Sequence, residues 1–224
     1  MIKAIFYKEW IKTRLSVVLI FAVMAAGTIY AFIDTAQNFR VSGAVQVWNA
    51  IITKDAPLLP VVMQWLPAMA ALLLALSQFL PEMTDKRLKL TLHLPLPEDR
   101  ILMITLAYGI VSLVTIYVAA YIALTVGLSA YYPAEMVGGM YWKSLPWFLA
   151  GLCTYLLTAW ICLEPVWRHK IMNSLAAVCL CCFFFIGAPS KAYMLFLPYL
   201  GVFTLLCFAF PFYSTARFKE GAQR

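Results

Sequence analysis

Six stretches of this sequence are apolar over their whole length and contain no Asp, Glu, Lys, Arg or His. They cover residues 15–33, 58–80, 101–130, 145–163, 171–187 and 192–213. A helix rises about 1.5 Å per residue, so roughly 20 residues cross the ~30 Å apolar core of a bilayer. The runs therefore predict an all-α integral membrane protein, a single transmembrane domain over residues 1–224 with six transmembrane helices.

The composition supports the same class. Apolar residues make up 64% of the chain and charged residues 12%, against roughly 45–50% and about 25% in globular domains. A soluble fold cannot cover so much apolar surface, so lipid must surround most of the chain. All six cysteines fall inside the predicted spans, which argues against a secreted disulfide framework.

The distribution of Lys and Arg predicts the topology. Of the 17 basic residues, thirteen fall in segments 1–14, 82–100, 164–170 and 214–224, and four fall in the remaining connections. Positive charge is concentrated on the cytoplasmic side of membrane proteins. We therefore expect a multi-pass protein of the cell (cytoplasmic or inner) membrane with both termini in the cytoplasm. The net charge of +7 lies at the ends of apolar runs, which argues against a nucleic-acid partner.

Residues 1–14 have an amphipathic pattern. Ile2, Ile5, Phe6 and Trp10 share one arc of a helical wheel with basic residues on its flanks, although Glu9 falls inside the apolar arc. The pattern predicts an interfacial helix on the cytoplasmic surface. A basic flank that only sets topology is the alternative.

The loop at residues 81–100, between the second and third spans, is the main charged segment. It contains eight of the chain's 27 charged residues, and Glu82 and Asp85 suit the first turn of a helix that begins at Pro81. The strict alternation of leucines from Leu88 to Leu96 is instead typical of a strand. We predict a short cytoplasmic helix that ends before Pro95 and binds a partner, the alternative being a solvated linker. The predicted docking residues are Glu82, Asp85, Lys86, Arg87, Leu88, Lys89 and Leu92.

The second span contains Pro60 and Pro67, with Gln64 between them. Prolines free backbone carbonyls, which a membrane helix tolerates only where neighbouring groups or water satisfy them. A kinked helix that faces other protein is expected. Gln64, Pro60 and Pro67 are the predicted residues of a cargo route, and simple packing between helices is the alternative.

The layout resembles the permease subunits of type-2 ATP-binding-cassette (ABC-2) exporters. The sequence FYKEWIKTR (6–14) resembles their elbow helix, the basic and leucine-rich stretch after Glu82 resembles their coupling helix, and LPLPEDRIL (94–102) resembles their entry into the third span. Lys89-Leu90-Thr91 stands where the family usually has Gly-Thr. The resemblance implies pairing with a second permease copy or a paralogue, docking on an ATP-binding-cassette ATPase, and a route lined by the first, second and fifth spans.

The absence of two kinds of residue pattern restricts the source of energy. Ion-coupled transporters generally carry an ionisable group at mid-membrane, and no predicted span contains one. The sequence also lacks a G-x-x-x-x-G-K-[ST] loop, so ATP and Mg²⁺ are expected in a partner chain and no cofactor in this one. No catalytic or metal site is predicted, because His93 and His169 are 76 residues apart without a metal-binding spacing.

The predicted function is the membrane permease subunit of an ATP-driven exporter that moves an amphipathic or hydrophobic cargo. Two alternatives remain: a non-transporting scaffold or sensor subunit that recruits a cytoplasmic partner, and a haem-exporter-like subunit of cytochrome maturation.

Overall fold

A computed structural model of the chain describes residues 2–54, 56–84, 97–186 and 192–219. These residues form eight helices and no strand, so the all-α prediction is confirmed for them. The helices are α1 (Ile2–Ser42), α2 (Ala44–Lys54), α3 (Val62–Thr84), α4 (Glu98–Leu128), α5 (Ala134–Leu163), α6 (Trp167–Cys182), α7 (Ala192–Cys207) and α8 (Ala209–Lys219).

Five helical segments within the described residues are long and apolar enough to cross a membrane. They are Ile2–Ser42, Val62–Thr84, Asp99–Leu128, Ala134–Leu163 and Met194–Arg217, the last made by α7 and α8 together. The chain is therefore compatible with a multi-pass membrane protein. The predicted span at 171–187 is not among the five, because α6 has 16 residues and a length of only about 24 Å.

The first helix is longer than its hydropathy indicates. The predicted segments 1–14 and 15–33 are not separated, because α1 runs without a break through Arg14 and ends at Ser42. No proline lies in this stretch, so nothing interrupts the backbone hydrogen bonds. Gly43 follows with φ of 76° and donates its N–H to the carbonyl of Phe39, an arrangement common where helices end. The short helix α2 follows directly after this glycine.

Two other boundaries also move. Pro81, predicted as the first residue of a new helix, lies inside the last turns of α3, and the expected helix after it lies outside the described residues. Helix α5 begins at Ala134 directly after Pro133, although the fourth span was predicted from residue 145. Hydropathy marks the apolar core of a helix, whereas the helix itself continues until a residue stops it.

Helix α5 is the centre of the bundle and contacts α3, α4, α6, α7 and α8. Helix α1 lies antiparallel to α3, since Lys12 contacts Glu82 at one end and Gly27 lies against Leu66 further along. Helix α4 is antiparallel to α5, since Gly109 contacts Tyr155 and Tyr117 contacts Gly151. It is also antiparallel to α3, since Thr105 bonds to Gln78 and Tyr117 to Pro67. Helices α3 and α5 therefore run in the same direction, and both end on the side where α1 begins.

Two tyrosine–glycine contacts hold α4 against α5. Tyr155 of α5 covers Gly109 of α4, and Tyr117 of α4 covers Gly151 of α5. Both hydroxyl groups bond to α3: Tyr155 donates to the Gln78 side chain and Tyr117 to the Pro67 carbonyl, each at 2.8 Å. The glycines let the rings approach the backbone, and the hydroxyls satisfy buried acceptors.

We predict that Gly109→Ala destabilises the protein relative to Gly201→Ala. A Cβ at Gly109 would collide with the Tyr155 ring, whereas a Cβ at Gly201 in α7 meets no atom within 4 Å. Both changes raise helix propensity equally, so the difference isolates the collision, which should cost about 1–3 kcal/mol. Thermal unfolding in detergent measures it; equal midpoints for the two variants would contradict the contact.

Candidate functional site

Four charged side chains meet at the end of the bundle where α1 begins. Lys8, Glu9 and Lys12 come from α1 and Glu82 from the last turn of α3. The Lys12 ammonium lies 2.7 Å from a Glu9 oxygen and 2.9 Å from Glu82, and Lys8 lies 3.0 Å from the same Glu82 oxygen. We call these four residues the α1–α3 charge cluster; it contains two positive and two negative charges.

Burial makes these contacts strong. Glu9 is 1% exposed and Glu82 3% exposed, so each carboxylate must be compensated by protein groups. Glu82 also stands near the C-terminal end of α3, where the helix dipole disfavours a negative charge. The two ammonium groups of α1 supply the compensation. The cluster also explains why Glu9 interrupts the apolar arc of residues 1–14: its side chain points into the bundle.

A set of buried polar contacts continues from the cluster into the bundle. Thr13 donates its hydroxyl proton to the Glu9 carbonyl at 2.8 Å, so the Tyr108 hydroxyl is the donor in its 2.7 Å contact with Thr13. One turn before Glu82, Gln78 donates its amide to the Thr105 carbonyl at 2.9 Å and accepts the bond from Tyr155. Hydrogen bonds thus connect α4 with α1, α3 and α5 about one helical turn further into the bundle than the cluster.

A second cluster of polar and charged side chains, around the buried carboxylate of Glu164, lies where α5 ends. Glu164 is fully buried; it accepts a hydrogen bond from Ser214 at 2.7 Å, and the guanidinium of Arg217 lies 3.2 Å from its other oxygen. Arg217 also lies 3.0 Å from Nδ1 of His169. Helix α5 ends at Leu163, and Glu164 is extended because Pro165 follows it. This cluster joins the end of α5 to α6 and to α8.

Sequence reasoning missed both clusters as sites. Segment 164–170 was assigned a topological role only, and Glu9 was treated as an irregularity. The available signal was a single acidic residue at the boundary of an apolar run, where burial has to be balanced by a cation. The sequence pattern does not show which cation neutralises each carboxylate. Lys12 is 70 positions from Glu82, and Arg217 is 53 positions from Glu164.

The predicted docking residues are described only in part. Glu82 lies in the α1–α3 charge cluster, and its side chain faces α1. Asp85, Lys86, Arg87, Leu88, Lys89 and Leu92 lie outside the described residues, as does the choice between helix and strand for Leu88–Leu96. Docking at this loop therefore stays a prediction.

The predicted route residues occupy different environments. Pro67 is buried between α3 and α5, with its carbonyl bonded to Tyr117. Gln64 and Pro60 are half-buried, and the Pro60 carbonyl accepts the N–H of Met63 at the start of α3. The contact at Pro67 favours the packing alternative for that residue. The structure does not bring the three together around a cavity, and the route stays a prediction.

Cys153, Cys181 and Cys207 pack between helices, whereas Cys179 and Cys182 are exposed. The Cys153 and Cys207 sulfurs are 3.7 Å apart between α5 and α7, and Cys181 of α6 lies 3.5 Å from the Thr154 hydroxyl. Within the part of the chain that the structure describes, no group of three or more His, Cys, Asp or Glu side chains is arranged as metal ligands would be.

No protein-family model matches the chain, and the comparisons with curated proteins and with solved structures give no match. A function must therefore be argued from the residues and contacts described above.

We predict that Lys12→Met and Glu82→Gln are not additive in their effect on stability. Each single change leaves a buried charge with fewer partners, whereas the double change removes both members of the pair. Residues in direct contact typically show coupling of about 0.5–3 kcal/mol. A double-mutant cycle on thermal unfolding in detergent measures this coupling.

The control for this cycle pairs Lys3→Met with Glu82→Gln. Lys3 is an exposed lysine on the same helix and lies outside the cluster, so this pair should be additive. Additive behaviour of Lys12 with Glu82 would show that the cluster does not hold α1 to α3.

Proposed function

We propose that the chain is the membrane permease subunit of an ATP-driven exporter. Two such subunits would pair, bind separate ATPase subunits that hold ATP and Mg²⁺, and move an amphipathic or hydrophobic cargo. The observation that carries the proposal is the α1–α3 charge cluster. It ties the start of α1 to the turn of α3 from which the loop of predicted docking residues departs.

The cluster would transmit a force on the loop from the end of α3 to α1. The predicted docking residues from Asp85 onward follow Thr84, the last residue of α3, which is half a turn beyond Glu82. A partner that pushes on this loop displaces the end of α3, and the Glu82 pairs with Lys8 and Lys12 carry the displacement to α1. One turn deeper, Gln78 connects the same end of α3 to α4 and α5. A movement that begins at the loop thus reaches four helices without any charge inside the predicted spans.

Residues 2–14 would act as the elbow segment. Helix α1 has 41 residues and a length of about 60 Å, twice the apolar thickness of a bilayer. With residues 15–33 in the core, the first turns extend beyond it. Tyr7, Trp10 and Ile11 of these turns are exposed, which suits the interface between headgroups and acyl chains. The elbow would therefore be continuous with the first span.

We also propose six crossings of the membrane. Glu164 at the end of α5 contacts Ser214 and Arg217 of α8, so the chain leaves this side and returns to it. The segment Met194–Arg217 is long enough for the return crossing. The outward crossing then falls to α6 and the residues after it. An even number of crossings places both termini on one side, and the charge bias indicates that this side is the cytoplasm.

This topology predicts opposite labelling of residues 190 and 223. In a variant whose six cysteines are replaced, Ser190→Cys should react with a membrane-impermeant maleimide applied to intact cells. Gln223→Cys should react only after permeabilisation. Labelling of both positions from the same side would contradict six crossings, and exchange of the two patterns would contradict the orientation.

The docking role predicts that Leu88→Asp with Leu92→Asp abolishes co-purification of the partner ATPase subunit. Charges in place of the leucines should remove the apolar contact with the partner while membrane insertion continues. Substrate-stimulated ATP hydrolysis by the reconstituted complex should be lost in parallel. Association that survives in this variant would contradict docking at the loop.

The matched control is Val45→Asp with Ile52→Asp. These residues are exposed apolar positions on α2, at the other end of the bundle, so two added charges there should leave the ATPase bound. If the unaltered chain binds no ATPase, the exporter function fails. A scaffold or sensor that recruits a different cytoplasmic partner is then favoured.

A further inference from the structure

A polar cleft lies at the end of the bundle opposite the two charge clusters. Its walls are the last turns of α1 and one side of α2, which are joined at Gly43, and residues 56–58 lie beside them. The volume is about 480 Å³, inside the range of about 300–1,000 Å³ that is typical of small-molecule sites. A smaller apolar cavity shares Ile51 and Leu58 with the cleft and extends to Lys143 of α5.

The α1 wall belongs to the part of the helix that follows the apolar run. That run ends at Ile33, and residues 34–42 contribute Asp34, Asn38 and Ser42 to the cleft. Each of the three follows the previous one by four residues, so they share one face of the helix. A helical segment of this length extends about 13 Å. The wall therefore stands beyond the predicted apolar core, where water reaches it.

Helix α2 has a polar side and an apolar side. Gln46, Asn49 and Thr53 line the cleft at spacings of three and four residues. Another side of the helix carries three exposed apolar residues at similar spacings: Val45, Trp48 and Ile52. An apolar face on a short helix beyond the end of a span suits the interface between headgroups and acyl chains. The cleft therefore opens at the membrane surface.

The lining of the cleft is rich in hydrogen-bonding groups. Its polar side chains are three carboxamides, two aliphatic hydroxyls, a phenol, a carboxylate and an ammonium group: Asn38, Gln46, Asn49, Ser42, Thr53, Tyr132, Asp34 and Lys54. The charges of Asp34 and Lys54 are opposite, so the described lining has no net charge. Asp55 lies outside the described residues.

Most of these groups have bonding capacity left for a ligand. Asn38 donates to the Asp34 carboxylate at 3.3 Å, and Thr53 donates to a backbone carbonyl of its own helix. Among the residues that the structure describes, four side chains of the lining form no hydrogen bond or ion pair: those of Ser42, Gln46, Asn49 and Lys54. All four are exposed. A ligand would replace water at these groups without breaking a contact inside the protein.

A neutral molecule with several hydroxyl groups matches this lining. Each hydroxyl both donates and accepts hydrogen bonds, and so does each carboxamide. An ion would be attracted by one of the two charged residues and repelled by the other. A zwitterion would engage only these two residues and leave the carboxamides unused. Val47, Ile51 and Leu58 add an apolar strip to the lining, which suits the C–H groups of a sugar ring.

We propose that the cleft between α1 and α2 binds a neutral mono- or disaccharide through the carboxamides of Asn38, Gln46 and Asn49. The site lies at the far end of the bundle from the loop of predicted docking residues, and it does not depend on the exporter function. The same chemistry belongs to a free sugar and to the head group of a glycolipid, and the experiment separates these two sources.

The test uses maltose, lactose and diacetylchitobiose as probes. The purified full-length chain is placed in nanodiscs of phosphatidylcholine, and binding is measured by calorimetry with empty nanodiscs as the blank. At least one of the three sugars should bind saturably. Its affinity should be almost the same at about 50 and about 500 mM salt, because salt screens interactions between charges and the sugar has none. The absence of saturable binding by all three would overturn the proposal.

Gln46 and Gln37 provide a matched pair of variants. Both are exposed, but only Gln46 lines the cleft. Gln46→Met should weaken the bound sugar by about 2- to 10-fold, the usual effect of one hydrogen bond, and addition of Asn49→Leu should weaken it further. Gln37→Met should leave the affinity unchanged. Equal binding by the two methionine variants, with equal thermal unfolding, would contradict the site.

Asp34→Asn and Lys54→Gln test the neutral character of the ligand. Each change removes a charge and keeps a hydrogen-bonding group, so a neutral sugar should lose no more than about 3-fold in affinity. Thermal unfolding detects a loss of fold. Complete loss of sugar binding in either variant, with the fold retained, would show that the cleft requires charge and would overturn the proposed class of ligand.

Nanodiscs that contain diglucosyldiacylglycerol identify the source of the sugar. If a glycolipid head group occupies the cleft, this lipid should displace the bound sugar. Native mass spectrometry should then show retained lipid that the variant with Gln46→Met and Asn49→Leu loses. If a free sugar is the occupant, it should bind equally in both kinds of nanodisc. Displacement by the lipid that this double variant does not weaken would contradict binding in the cleft.

Discussion

The reciprocal contact of Tyr155 with Gly109 and Tyr117 with Gly151 is the constraint on which the bundle depends. Inside a membrane the hydrophobic effect does not draw helices together, so close packing and hydrogen bonds must do so. Each glycine lets a tyrosine ring of the facing helix reach the backbone, and each hydroxyl bonds to α3. One arrangement therefore fixes α3, α4 and α5 relative to one another. Helices α1, α6, α7 and α8 pack around this centre.

The two ends of the bundle have different chemistry. At the end where α1 begins, the buried carboxylates of Glu82 and Glu164 are balanced by cations from distant parts of the chain, and Glu9 is balanced by Lys12 of its own helix. These pairs are rigid because removal of either partner leaves a buried charge. The opposite end contains an apolar cavity and a polar one between α2 and its neighbours. Charge pairs between helices suit the transmission of force that the proposed function requires.

The accuracy of the sequence predictions varies with the physical basis of each. The helical class was predictable, because it depends on local pattern and on the need of a membrane chain to bond its own backbone. Helix ends were less predictable: α1 continues through Arg14, and α5 begins eleven residues before the apolar run at 145. Hydropathy records which residues tolerate lipid, and helices extend past that limit until a glycine or proline stops them. The short α6 shows the reverse case at its end, because the apolar run continues to residue 187 although this helix ends at Cys182.

The sequence by itself determined which segments are apolar enough to suit a membrane and which connections between them carry most of the Lys and Arg residues. Composition and the order of apolar runs are sufficient for these features, because the bilayer acts on each segment separately. Only the tertiary structure decided that Glu82 pairs with Lys12, that Tyr155 lies over Gly109, and that Lys143 lines a cavity with Ile51. These pairs are separated by 46 to 92 positions in the chain, and no local pattern specifies which helix faces which. The side chains that join the helices are therefore visible in the sequence, but their partners are not.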